Sequence, residues 1–316
     1  MNKYLKYQPA WLQLIIFASL TVVSFLIAGL IVTPVIANFY DLRLADLSPF
    51  NFENPNVVAA LGAFQSALSI TLFLVPSLLF SYLSDPRPLH YIGCRKPVPL
   101  FFFVIAIVVM VSALPLVVWL GELNHNVHFS KQWSGLENWI KQAEKDSNVM
   151  LRHLLVMKSP KDLFTMLIVL AVVPAFVEEF FFMGVLQRLF IQIFKRPWTG
   201  IIVSAIIFSA IHGQFLGFLP RVVLGIILGA LFWYSGSLWP GILAHFVHNG
   251  LQVVVAYLNP ALIEKDPNVT SLMITGSTLL ILGLTWWMTR ISQTSYAEVY
   301  DTDDDFTIGP RDQFTA

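Results

Sequence analysis

Two adjacent glutamates, Glu178 and Glu179, stand in AFVEEFFFMG at residues 175–184, where every other side chain is apolar. Farther along, His212 closes FSAIH one helical turn after Phe208, and HFVHN carries His245 and Asn249 at i and i+4, on one helix face. His248 in the same run turns off that face and has a weaker claim. An ionisable residue inside an apolar span costs several kcal/mol, so it faces a bundle interior or a watery cavity and reads as functional. Neighbouring carboxylates repel each other, which suits such a pair to proton transfer near neutral pH. A single histidine in such a run is ordinarily a packing residue bonded to a neighbouring helix. Glu–Glu, His and His–Asn in three separate spans read better as parts of one site.

The elements that carry these groups are membrane spans. The chain has 316 residues, 56% of them hydrophobic, with a mean hydropathy of +0.70 and 12% charged residues, against about 25% charge in soluble domains. Several apolar runs reach the roughly 20 residues that cross a bilayer. The expected fold is all-α: a polytopic membrane protein with about eight transmembrane helices in one bundle, near 11–39, 57–83, 99–121, 163–194, 199–213, 219–235, 238–258 and 270–291. Zero formal net charge leaves no basic face for a nucleic acid. Cys94 stands alone, which excludes an intramolecular disulfide and a multi-cysteine metal cluster. The N-terminal apolar run is too long for a signal peptide and reads as a retained first helix.

Residues 1–162 thus hold N-terminal spans and a polar loop, 163–258 the chemistry-bearing spans, 259–291 a last span, and 292–316 an acidic tail of disordered composition. In the loop, Leu136, Trp139, Ile140 and Ala143 keep helical spacing, as in a surface or interfacial helix, with a lid over the site as the alternative. Lys3, Lys6, Arg87, Arg95, Lys96, Lys195 and Arg196 fall on one side of the spans, which places both termini in the cytoplasm, although the 122–162 loop opposite is also rich in basic residues. Pro174 is expected to kink or break its span just before the glutamates. At 1.5 Å per residue, Glu178, His212 and His245 reach overlapping levels near mid-bilayer.

Taken in order, EEFFFMG followed by VLQR, then FSAIH, then HFVHN resemble the CAAX-protease and bacteriocin-processing (Abi, or CPBP) family of intramembrane proteases, over about residues 163–258. The resemblance implies an endopeptidase acting on a membrane-associated protein or peptide among membrane lipids, as in a bacterial plasma membrane. It implies that Glu178 and His212 activate the attacking water, that His245 and Asn249 stabilise the oxyanion and that Glu179 orients the site. Members are often described as metalloproteases, and Glu178, His212 and His245 make a possible ligand set for Zn2+ with water in the fourth position. The single-helix zinc motif HExxH is absent, and metal-free activation by Glu178 fits the same residues. Met183 stands where the family motif has arginine, leaving Arg221 on another span as a candidate cation for Glu179. Two other classes fit less of the pattern: a non-catalytic binding or immunity protein that keeps the fold, and a proton-coupled transporter, for which no inverted repeat is visible.

Overall fold

The computed structural model describes residues 4–47, 50–52, 54–94, 97–126, 130–263 and 268–292. Lys3, Arg95, Lys96 and the acidic tail from residue 293 onward lie outside them. Every regular element among the described residues is helical. In chain order the main helices are α1 (Ala10–Phe39), α2 (Asn56–Ser84), α3 (Leu100–His125), α4 (Ser134–Leu154), α5 (Pro160–Phe194), α6 (Pro197–Ala210), α7 (Phe218–Ser235), α8 (Leu238–Leu258) and α9 (Ser271–Ile291). The chain is a multi-pass membrane protein. Leu30 and Phe39 of α1 and Leu272 and Leu282 of α9 stand exposed, as side chains facing lipid tails do.

The eight expected spans correspond to eight apolar helices, but eight crossings do not follow. Among the described residues six helices are long and apolar enough to cross, or seven if α3 counts as one span despite a 41° bend. Pro115 lies inside α3 beside that bend, and the Ser277 hydroxyl of α9 donates to the Ser112 carbonyl there at 2.5 Å. The correction concerns α6, drawn from sequence as a span at 199–213. Its 14 residues rise only about 21 Å at 1.5 Å per residue, against a hydrocarbon core of about 30 Å. Its length alone does not reach across that core, and the chain turns at 211–217 into α7.

Prolines shape the long helices by widening rather than breaking them. Five-residue π turns at Ala28–Val32, Ile70–Leu74 and Ile168–Val172 each end two residues before a proline, respectively Pro34, Pro76 and Pro174. Proline has no N–H and its ring crowds the carbonyl four residues back; a wider i→i+5 turn relieves that contact. The break expected at Pro174 is therefore a π turn within a continuous 35-residue helix.

One buried apolar cluster joins the N-terminal spans to the chemistry-bearing ones, with Phe17, Phe80 and Phe102 packed in the same core as Phe182, Leu228 and Leu238. At one end of the bundle Lys6 pairs with Asp85 at 2.6 Å, and the backbone of Gly93 and Cys94 receives bonds from Leu238 N and Trp239 Nε1. The amphipathic α4 lies at the other end, with Ile140 and Leu154 buried but Leu136 and Trp139 exposed. His153 stacks on Phe52 with ring centroids 4.0 Å apart, and Glu144 Oε2 accepts from Leu216 N at 3.3 Å.

Buried Asn124, near the end of α3, holds the 211–217 turn. Its Nδ2 donates to the Phe215 carbonyl and its Oδ1 accepts from Leu219 N at 3.4 Å. Asn124→Ala is expected to destabilise the protein by roughly 1–3 kcal/mol, the usual effect of stranding buried partners, and to expose the turn to proteolysis. Thermal unfolding in detergent with limited proteolysis checks this; wild-type behaviour in both would contradict it.

Candidate active site

α5 carries the two glutamates at the point where its winding changes. Val173–Glu178 is α-helical and Glu179–Gln187 is a nine-residue π segment, a winding that recurs at functional sites. The segment is buried throughout. The Ser204 hydroxyl of α6 donates to its Phe182 carbonyl at 3.1 Å, and Gln187 Nε2 reaches the Gly229 carbonyl of α7 at 3.1 Å. These bonds tie α5 to α6, which leads into His212, and to α7.

Glu179 is 1% exposed and His245 5%. They face each other across α5 and α8, with His245 Nδ1 3.1 Å from Glu179 Oε1. This contact turns Nε2 of the same ring toward Glu178, whose Oε2 lies 3.8 Å away. Nε2 of His212 lies 4.0 Å from that same oxygen. One carboxylate oxygen therefore stands within 4.0 Å of two imidazole nitrogens, one from α8 and one from the turn that follows α6. Glu178 is 8% exposed, whereas His212 opens toward solvent at the start of the 211–217 turn.

Phe208 explains why an aromatic residue one turn before His212 is useful. Its carbonyl sits 2.7 Å from His212 Nδ1. A carbonyl only accepts, so Nδ1 donates, and the neutral ring presents a lone pair at Nε2. The Phe208 ring packs edge-on against His212 at 5.0 Å, against His245 at 6.1 Å and against Phe182 at 5.1 Å. Both imidazoles are thus braced by one apolar side chain, which is itself buried.

Glu178, Glu179, His212 and His245 come together; the placement of Asn249 is different. Its Nδ2 donates to the Leu170 carbonyl at 3.1 Å. Leu170 is four residues before Pro174, so its carbonyl is the one that an N–H at 174 would satisfy in a regular α-helix. Asn249 therefore ties α8 to the proline-altered turn of α5. Met183 is buried in the core, and the group facing Glu179 is His245 rather than Arg221. The Arg221 guanidinium is instead bound by Gln214. Arg188 is turned away, with Nη1 on the Tyr91 carbonyl at 3.2 Å and its guanidinium 3.7 Å over the Tyr91 ring. Sequence reasoning missed Gln214 and Asn124, polar residues at the ends of apolar runs, where polar side chains are commonplace.

A water and a zinc ion would set different spacings between these donors. Two groups each hydrogen-bonded to one water stand about 4–4.9 Å apart at angles of 90–110°. Two ligands of a tetrahedral zinc with bonds of about 2.0–2.2 Å stand roughly 3.3–3.6 Å apart. The observed 3.8 Å lies midway between these ranges, and 4.0 Å at the lower edge of the water range. Among the described residues no three His, Cys, Asp or Glu side chains are placed to hold a metal ion. The donor types themselves suit zinc, and the Glu179 contact on His245 Nδ1 is the kind of support that ligating histidines receive.

Residues 160–251 match the family model described as Rce1-like, type II CAAX prenyl endopeptidase. The matched segment contains all five motif residues and covers less than a third of the chain. The resemblance read from the three motifs therefore holds for this segment, and the family is one of CAAX-type intramembrane proteases. No curated protein and no solved structure matches the chain.

The second oxygen of Glu179, Oε2, is buried without a hydrogen-bond partner, and α8 passes over it at Gly241. A Cβ at 241 would sit 2.8 Å from that oxygen, too close for the tethered carboxylate to ignore. Gly241→Ala is expected to destabilise the protein by about 1–3 kcal/mol, as overpacking does. In a Glu179→Ala background the same change should have little effect. Thermal unfolding of the four proteins in this cycle checks it; equal effects in both backgrounds would contradict the contact.

Proposed function

Taking residues 160–251 as a member of the Rce1-like, type II CAAX prenyl endopeptidase family, we propose that the chain is an intramembrane endopeptidase. It hydrolyses a peptide bond of a membrane-associated protein or peptide, using water activated by Glu178 and His212. The observation that carries this reading is the placing of Glu178 Oε2 within 4.0 Å of Nε2 of both His212 and His245.

The roles follow from the hydrogen-bond inventory. Water held between Glu178 Oε2 and the His212 lone pair donates a hydrogen to each, which turns its own lone pair toward an incoming carbonyl carbon. Glu178 accepts a proton as the oxygen adds, and returns it to the amine nitrogen as the C–N bond breaks. When the Glu179–His245 pair carries two protons, one lies between Oε1 and Nδ1 and the other on His245 Nε2. That donor stabilises the negative charge on the carbonyl oxygen. Asn249 has a second amide hydrogen beyond its bond to Leu170, and it joins His245 in that role. Were a divalent metal such as Zn2+ bound, Glu178, His212 and His245 would hold it, and it would supply Lewis-acid activation of the water. Direct activation by Glu178, which uses the same residues without an ion, is the mechanism proposed.

The partly open setting of His212 suits a reaction that consumes water within an apolar bundle. Glu178→Gln and His212→Ala are each expected to lower peptide cleavage at least about 100-fold, the usual scale of general acid–base catalysis. The measurement is turnover of a peptide library by the purified protein in liposomes, with and without a chelator. Direct water activation predicts no effect of the chelator. Cleavage that survives both substitutions would remove the mechanism, and a wild-type protein that cleaves nothing would favour the binding role.

A further inference from the structure

Arg221 remains unused by this mechanism. It projects from the first turn of α7 into the 211–217 turn, which begins at His212 and folds around its guanidinium. Nη1 donates to Gln214 Oε1 at 2.9 Å and Nη2 to the Gln214 carbonyl. The fit is close at Gly217, where a Cβ would lie 2.8 Å from the guanidinium carbon, so a larger residue there would displace the arginine from this position.

The contacts made by this guanidinium are neutral. Gln214 offers an amide oxygen and a carbonyl, while Nε is buried with no hydrogen-bond partner. Glu144 of α4 and Glu178 both act electrostatically on the charge, but neither comes within ion-pair distance, 4.0 Å, of it. The Glu144 carboxylate is committed to Leu216 N on the same turn. Gln214, which holds the guanidinium, is two residues from His212, so the charge sits on the turn that carries that histidine. A partly buried arginine held by neutral acceptors is organised yet unmatched. Its planar fork of five donors suits a carboxylate in particular.

We propose that Arg221, oriented by Gln214 and the 213–217 turn, is the subsite that recognises a carboxylate of the peptide bound at Glu178 and His212. The carboxylate comes either from the peptide's C-terminus or from an acidic side chain near the scissile bond. This assignment rests on the peptide-hydrolase reading for the kind of ligand. Arg221 acts here as a specificity residue, binding an end of the peptide that does not react.

The test is binding, so that it stands apart from turnover. Full-length protein in lipid nanodiscs is titrated with fluorescent N-acylated hydrophobic hexapeptides in three forms: a free C-terminal carboxylate, a C-terminal carboxamide, and the carboxamide with one internal aspartate. Wild type is expected to bind one carboxylate form about tenfold or more tightly than the neutral carboxamide, and the form preferred identifies the source. Arg221→Gln is expected to bring that ratio close to one. Arg221→Lys, which keeps the charge and loses the fork, should retain an intermediate ratio and guards against misfolding of the first variant. Glu178→Gln should leave a clear carboxylate preference while cleavage is lost. A wild-type ratio near one would overturn the assignment, as would Arg221→Gln weakening all three forms alike. A carboxylate preference in a protein whose cleavage ignores Glu178→Gln would sink the proposed hydrolysis mechanism and leave the Arg221 subsite standing.

Discussion

A carboxylate that cannot reach water must find its partner inside the protein, and the pairing of Glu179 with His245 meets that demand. Both side chains are almost wholly buried and they meet at 3.1 Å. Separating them would strand a charge or a proton in a medium of low dielectric, which is far more costly than losing a surface ion pair. The contact therefore fixes α5 against α8. It also decides which edge of the imidazole is spent on structure and which is turned toward Glu178. The two adjacent glutamates divide the work: Glu179 holds a histidine, and Glu178 keeps an oxygen near two imidazoles.

Around that contact, irregular backbone is placed where a neighbouring helix can compensate for it. Pro174 removes a donor, and Asn249 supplies one to the Leu170 carbonyl. The π segment from Glu179 to Gln187 widens α5 where it carries the site, and Ser204 and Gln187 bond it to its neighbours. Phe208 uses its carbonyl for His212 and its ring for both histidines. In a bilayer each backbone group must be satisfied within the protein, so the geometry of the site and the integrity of the spans rest on the same bonds.

Much of the site was legible in the sequence for this reason. A charged or polar group in an apolar span has few stable explanations, and Glu178, Glu179, His212 and His245 do converge. Helix positions were legible too, because continuous apolar runs leave a strong mark. The depth of α6 was not, since a 14-residue apolar helix and a true span look alike in composition. Nor was the bond that engages Asn249, or the grip of Asn124 and Gln214 on the 211–217 turn. These are side chain to backbone bonds, or bonds within a turn, and they follow no periodic pattern. Arg221 was expected at Glu179; the turn that follows His212 claims it first.

Glu178 of α5, His212 of the 211–217 turn and His245 of α8 are proposed to share one hydrated pocket. A density map of the protein in lipid nanodiscs, at a resolution that reveals ordered solvent, tests it most directly. The account predicts a solvent oxygen within about 3 Å of both Glu178 Oε2 and His212 Nε2, with His245 Nε2 lining the same space. Imidazoles directed away from Glu178, with only dry apolar packing between them, would contradict it.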